Sequence, residues 1–212
     1  MDLHIACDIG VAALGALLSD RLGATFIAQR YSRLVIDCNR APDRPDAIAA
    51  ISDAIAVPGN AALSASARAE RVAEIFAPYH GRIAAEIDAR RAAGRRPILL
   101  ALHSFTPVMA GAARPWRFGV LHLGGSPVSN AMLATLRAVL GPGLVGDNEP
   151  YRMDGTDYTA PRHAIAGGID YLELEVRQDL IADAAGQAEV AALLAPMLEA
   201  AAVTVGRGIV SG

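Results

Sequence analysis

Cysteine is nearly missing from this chain, which has 212 residues and two of them, Cys7 and Cys38. Two cysteines cannot build a disulfide framework, and these lack the CxxC spacing of a metal site. Both are therefore read as reduced, half-buried small apolar residues. Basic charge is not in excess either. With 19 Lys and Arg against 22 Asp and Glu, the net charge is −3 and the pI near 5.9. That excludes the broad basic field which duplex nucleic acid demands, so any anion has to be bound locally. The start, MDLHIACDIG, has no basic segment ahead of an apolar run, and no stretch of about 18 uncharged apolar residues follows anywhere. The expectation is a soluble, cytoplasmic protein without a membrane partner. Internal repeats, linkers and low-complexity segments are also missing, and with 53% hydrophobic and 19% charged residues the chain fits one compact domain over 1–212.

What is present alternates in period. Ile9 to Leu22 carries apolar residues on a helical repeat and stops at Gly23, after which ATFIAQ and YSRLVID read as two short strands. A polar, Pro-rich connection leads into a long helical stretch from about Ser66 to Ala93. There Val72, Phe76, Tyr79, Ile83 and Ile87 share a face, Pro78 predicts a kink, and Gly94 ends the run. PILLALH reads as a fully buried strand, FGVLHL as another, SNAMLATLRAVL as a helix, GLVG and DYLELEV as strands, and GQAEVAALLAPMLEAAAVTV as a closing helix. This order predicts an α/β fold in layers around a largely parallel sheet.

Ligands of open α/β sheets sit beyond the carboxyl ends of the strands, and three ends here are chemically loaded. YSRLVID runs into Cys38-Asn39-Arg40, PILLAL runs into His103-Ser104-Phe105-Thr106-Pro107, and DYLELEV carries Glu173, Glu175 and Arg177 on one face. A carboxylate facing inward from a covered strand costs several kcal/mol unless it is paired or employed. Each candidate also has a plain reading. His103 is a hydrogen-bonded strand-end histidine, Glu175 pairs with Arg177 or Arg33, Arg33 pairs with Asp37, and Arg40 is a solvated loop arginine. His80 is packing or a helix-bend hydrogen bond, and His122 is structural. His163, in the loop after VGDNEPY, is placed to cover a pocket. Asp147, Asn148 and Glu149 form a turn-prone acidic cluster.

HIACDIG, YSRLVIDCNR, the segment Ser52 to Asn60, APYH, LHSFTPVMAGAARPW, VGDNEPY and ELEVRQDLI together resemble the N-formylglutamate amidohydrolase family, in order along almost the whole chain. The resemblance implies a zinc hydrolase related to the zinc carboxypeptidases and the aspartoacylase group. Its fold would be three layers, α/β/α, around a central mixed, mainly parallel sheet. The implied reaction removes formate from N-formyl-L-glutamate or a similar small N-acyl acidic amino acid, as in histidine degradation. A formamide is a poor electrophile and water a poor nucleophile, so a Lewis acid and a carboxylate base are wanted. By the resemblance His103 is a zinc ligand and Glu175 moves the protons. Asn39 and Arg40 hold one substrate carboxylate, with Arg33, Arg114 and Arg177 open as partners for the other. His163 is a candidate for contact with the substrate or transition state. The family's upstream strand with a metal-binding histidine has no counterpart in this sequence, and His4 lacks the HxxE or HxxN spacing to replace it. An incomplete zinc site and an exposed sheet edge are therefore expected. The rival reading is a metal-poor, non-catalytic protein that keeps the fold and binds carboxylates or a partner.

Overall fold

The computed structural model describes residues 5–207, so His4 lies outside it. In chain order the elements are α1 (Val11–Leu22), the hairpin strands β1 (Ile51–Ser52) and β2 (Ile55–Ala56), α2 (Ala65–Arg71) and α3 (Ala77–Ala92). There follow β3 (Ile98–Phe105), the hairpin β4 (Val108–Met109) and β5 (Ala112–Ala113), β6 (Phe118–Leu121), α4 (Pro127–Leu140), β7 (Val145–Asp147), β8 (Asp170–Arg177) and α5 (Ala184–Arg207). Local chemistry sets several ends. Gly23 closes α1 in the left-handed region at φ 58°, where a Cβ would be strained. Ser64 and Ser126 accept the amides of Ala67 and Ser129 and so cap α2 and α4. The long helix predicted from Ser66 is interrupted by a wider π-turn at Val72–Phe76, just ahead of Pro78. Proline has no N–H to continue the regular ladder.

The central sheet has the order β3-β8-β6-β7. β3 and β8 are parallel, β6 and β7 are parallel, and β6 meets β8 antiparallel. The sheet is mixed and mainly parallel, as expected. Alternation along β8 divides its two faces. Leu172, Leu174 and Val176 enter the main core with Leu14, Leu18, Met132, Leu136, Leu194 and Leu198 of α1, α4 and α5. Tyr171 faces the other way, into a smaller cluster with Leu121, Met153 and Ala164, and Glu173 and Glu175 follow it by period. By length and composition alone α5 is apolar enough to cross a membrane. Its Val190, Ala191, Leu194, Ala195, Leu198 and Ala201 are buried in the main core, which accounts for that stripe.

Four expectations are corrected. ATFIAQ forms no strand, and 24–30 has no regular secondary structure. YSRLVID is a run of turns, because Ser32 and Asp37 bind the backbone locally: Ser32 Oγ accepts from Leu34 N and Asp37 Oδ1 from Asn39 N. Such bonds compete with a ladder. PILLALH is an edge strand rather than a fully buried one, since among the described residues β3 pairs only with β8. Cys38 is buried but Cys7 is exposed, against the half-buried expectation.

Candidate active site

The outer edge of β3 borders a cavity of about 650 Å³ that touches every residue from Arg96 to His103. A strand that lines a cavity with consecutive residues presents its hydrogen-bonding edge to it. Leu22 to Gln29, residues of α1, and Tyr79, Ile83 and Ile87 of α3 also line it. At the His103 end the lining turns polar, with Asp8, Arg33, Asp37 and Asn39.

The sheet stands beside that polar end, and among the cavity's lining residues only His103 belongs to the row that also holds Glu175; Glu173 and Glu175 themselves lie outside the lining. Parallel register sets His103 opposite Glu175 and Ala101 opposite Glu173, and on the far side Gly119 of β6 stands opposite Glu175. Gly119 and Gly146 are bare for a reason. A Cβ at either would drive into the carbonyl oxygen of Glu149, so the loop at 149 lies directly on this part of the sheet. His103 Nδ1 is 2.8 Å from Asp8 Oδ2, and Ser104 Oγ donates to Ile9 O, which fixes the N-terminal turn on the end of β3. Arg33 binds Asp37 at 2.6 Å and reaches Asp8 at 3.5 Å.

Two carboxylates are left over. Glu173 is 2% and Glu175 6% exposed, and Oε2 of each is buried without a hydrogen-bond partner among the described residues. Burial lifts Glu175 to about 8, with the Asp8 and Glu173 charges adding to it and His103 and Arg33 opposing. Burial lifts Glu173 to about 7, against the pull of His103 and Arg40. For His103 burial opposes the charge, but the Asp8 bond and the surrounding carboxylates outweigh it and push the imidazolium up to about 10. Asp8 is held below its ordinary value, since His103 and Arg33 outweigh its burial.

The expected substrate groups divide. Asn39 lines the cavity, and its Oδ1 accepts from the amides of Tyr158 and Thr159. Arg40 is outside the lining and bonds Asp157 at 2.9 Å, with Asp46 at 3.5 Å. Arg114 sits apart, over Tyr151 at 4.8 Å and Phe105 at 5.9 Å, beside the β4–β5 hairpin. Arg177 pairs with Asp179 at 2.8 Å and donates to the backbone at 114–116, so it does not pair with Glu175. His163 is bound to His80 rather than to His103 or Glu175. His122 holds Asp147 and exchanges hydrogen bonds with Asn148, a structural arrangement. Asp8, Asp157 and His80 were not singled out for these roles by sequence. Asp8 meets His103 across 95 positions, and only the placing of CDIG ahead of a helix hints at it.

Among the described residues no three His, Cys, Asp or Glu side chains converge to hold a metal ion. A catalytic zinc takes three protein ligands, so the described donors do not fit one.

Residues 1–182 match the model of the family described as N-formylglutamate amidohydrolase. The chain belongs to that family, and with it to the hydrolases. The crystal structure of gene product Atu2144 from Agrobacterium tumefaciens superposes with a TM-score of 0.91 at 37% identity, covering 97% of this chain and 81% of that one. N-formylglutamate amidohydrolase from Ralstonia eutropha JMP134 shares the fold, with a TM-score of 0.73 at 22% identity over 95% of this chain and 84% of that one. Comparison with the curated proteins finds no match.

Proposed function

We propose that this hydrolase cleaves the formamide of an N-formyl acidic amino acid, N-formyl-L-glutamate foremost, to formate and the free amino acid. The observation that carries the reading is Glu175: a buried carboxyl with one oxygen unsatisfied, directly across the strand from His103. A group raised to about 8 exchanges its proton near neutral pH, which suits a general base that must also act as an acid. Glu175 takes a proton from water as the water oxygen attacks the formyl carbon. It returns that proton to the nitrogen as the C–N bond breaks. His103, charged and oriented through Nδ1 by Asp8, makes no other hydrogen bond among the described residues, so Nε2–H is free to donate to the formyl oxygen as negative charge develops there. Asn39 and the guanidinium of Arg33 or Arg40 receive a carboxylate. Both arginines already hold Asp residues, so substrate would compete for them or complete a shared network.

The test is release of formate from N-formyl-L-glutamate, with N-formyl-L-alanine and N-acetyl-L-glutamate for comparison. Turnover of the first, weaker turnover of the neutral formamide, and its loss in Glu175→Gln with binding retained are the expected results. Binding of glutamate by the wild type without any turnover would instead favour the non-catalytic, carboxylate-binding reading.

A further inference from the structure

His80 and His163 lie 83 positions apart and meet with His80 Nδ1 at 2.8 Å from His163 Nε2. The rings meet edge to edge and nearly coplanar, 5.1 Å between centroids and 14° between planes. The other nitrogen of His80, Nε2, is 2.9 Å from the carbonyl oxygen of Cys38. A carbonyl oxygen only accepts, so the hydrogen of that bond belongs to His80 Nε2. Neutral imidazole carries one N–H, so His80 Nδ1 holds a lone pair and the hydrogen between the rings belongs to His163 Nε2. The remaining nitrogen, His163 Nδ1, then carries a lone pair. It makes no hydrogen bond among the described residues, and the His163 side chain is half-buried rather than sealed.

The surroundings keep His80 neutral. Its ring packs against Phe76 at 4.3 Å, Tyr158 at 4.8 Å and Tyr79 at 5.1 Å. Burial, with His163 and Arg162 adding to it, depresses its pKa to about 4 despite the Cys38 carbonyl. Beside Tyr158, its other titratable neighbours include the Cys38 thiol and the Tyr79 hydroxyl, both pushed up by burial and so uncharged at neutral pH. Neither imidazole lines the cavity, but Tyr79, Cys38, Asn39 and Thr159 beside them do. Cys38 precedes Asn39 and Arg40, and Asn39 holds the amides at 158 and 159. The turn Pro161–Ile165 that carries His163 packs on β3 and β8, with Ala164 in the cluster of Leu99 and Tyr171, the face shared by Glu173 and Glu175.

We propose that His80 is a positioning residue that locks His163 in the Nε2–H tautomer, so that His163 Nδ1 accepts a hydrogen bond from the amide N–H of the bound formamide. The second half rests on the function proposed above. An N-formyl dicarboxylic amino acid offers acceptors everywhere except at that N–H, so a side chain that can only accept has one group to recognise. Protonation of His163 at Nδ1 leaves its bond to His80 in place, so the ring keeps one orientation.

Long-range ¹H–¹⁵N spectra of the full, ¹⁵N-labelled chain at neutral pH report each imidazole's tautomer. Both His80 and His163 are expected as the Nε2–H form, and an Nδ1–H form at His163 overturns the proposal. Two variants follow. In His80→Gln the side-chain amide donates to the Cys38 carbonyl while its oxygen accepts from His163, so the tautomer and kcat/KM for N-formyl-L-glutamate should stay within about twofold of wild type. His80→Leu removes both bonds. A mixed His163 tautomer and a kcat/KM about tenfold lower, the worth of one hydrogen bond, are expected with the circular dichroism unchanged. Equal losses in Gln and Leu, or no loss in Leu, overturn the positioning role. The expected tautomers in a wild type that releases no formate would support the lock and count against the function it rests on.

Discussion

Glu175→Gln separates what the site does from what it costs the fold. Burial raises this carboxyl from its ordinary 4.5 to about 8, so the native state holds the proton more tightly than the unfolded chain does. A raised folded pKa gives a contribution that is intact below about pH 4.5 and lost as pH rises through 8. Across that window each pH unit costs about 1.4 kcal/mol. At pH 7 the native protein is therefore destabilised by roughly 3 kcal/mol through this one group, a large share of a typical stability of 5–15 kcal/mol. Glutamine has nearly the same shape and no proton to lose. The variant is expected to be more stable than wild type by up to roughly 3 kcal/mol at pH 7, the gap closing towards pH 4.5, while turnover disappears. Urea titrations from pH 4.5 to 8.5, followed by Trp116 fluorescence and circular dichroism, measure it. Glu173, raised to about 7, and His103, raised to about 10, have the same sign and remain in both proteins. The diagnostic quantity is thus the difference between the two curves. A gap that does not change with pH, or a variant less stable at pH 8, would refute the reasoning.

Other outcomes follow from the same residues. Asp8→Asn removes the partner that sustains the His103 charge, and the His103 pKa should fall from about 10 towards the ordinary 6.5; an NMR titration that leaves it near 10 would show that the carboxylates of β8 suffice. Arg40→Ala should weaken glutamate binding by roughly 1.5–3 kcal/mol and Arg40→Lys by less, because a lysine loses the planar fork but keeps the charge; equal calorimetric affinities for wild type and Arg40→Ala would remove it from the carboxylate site. After dialysis against a mild chelator the chain should retain well under one zinc per molecule, as expected when three donors do not converge; stoichiometric zinc by metal analysis would point to ligands outside the described residues.

The sheet was legible because β8 alternates. Leu172, Leu174 and Val176 enter the main core, while Glu173 and Glu175 take the opposite parity, and period alone predicted that both carboxylates share a face. α1 and α4 were legible for the same reason at a helical period. ATFIAQ was not, because a strand is defined by its neighbour as much as by its residues, and this segment faces a cavity instead. YSRLVID misled through its apolar Leu34, Val35 and Ile36, whose pull towards a ladder is overruled by the side chains of Ser32 and Asp37. The site was half legible. Strand ends located His103 and Glu175, but Asp8–His103 and His80–His163 join positions 95 and 83 apart, and no local pattern records such pairings. Arg33 took the ion pair with Asp37 that its spacing allowed.

The edge of β3, unpaired among the described residues, also bears on how copies of this molecule could meet. Ile98 to Leu102, ILLAL, is an uncharged apolar window on an edge that no described strand covers, the kind of segment that seeds intermolecular pairing. The chain guards it by punctuation. Arg95 and Arg96 put charge before it, Pro97 withholds an amide at its head, and His103, held charged by Asp8, closes its tail. Asp8 thus serves as a gatekeeper at one remove: by keeping a cation at the end of the window, it makes the charge that orders the site the same charge that discourages a second copy from zipping onto β3.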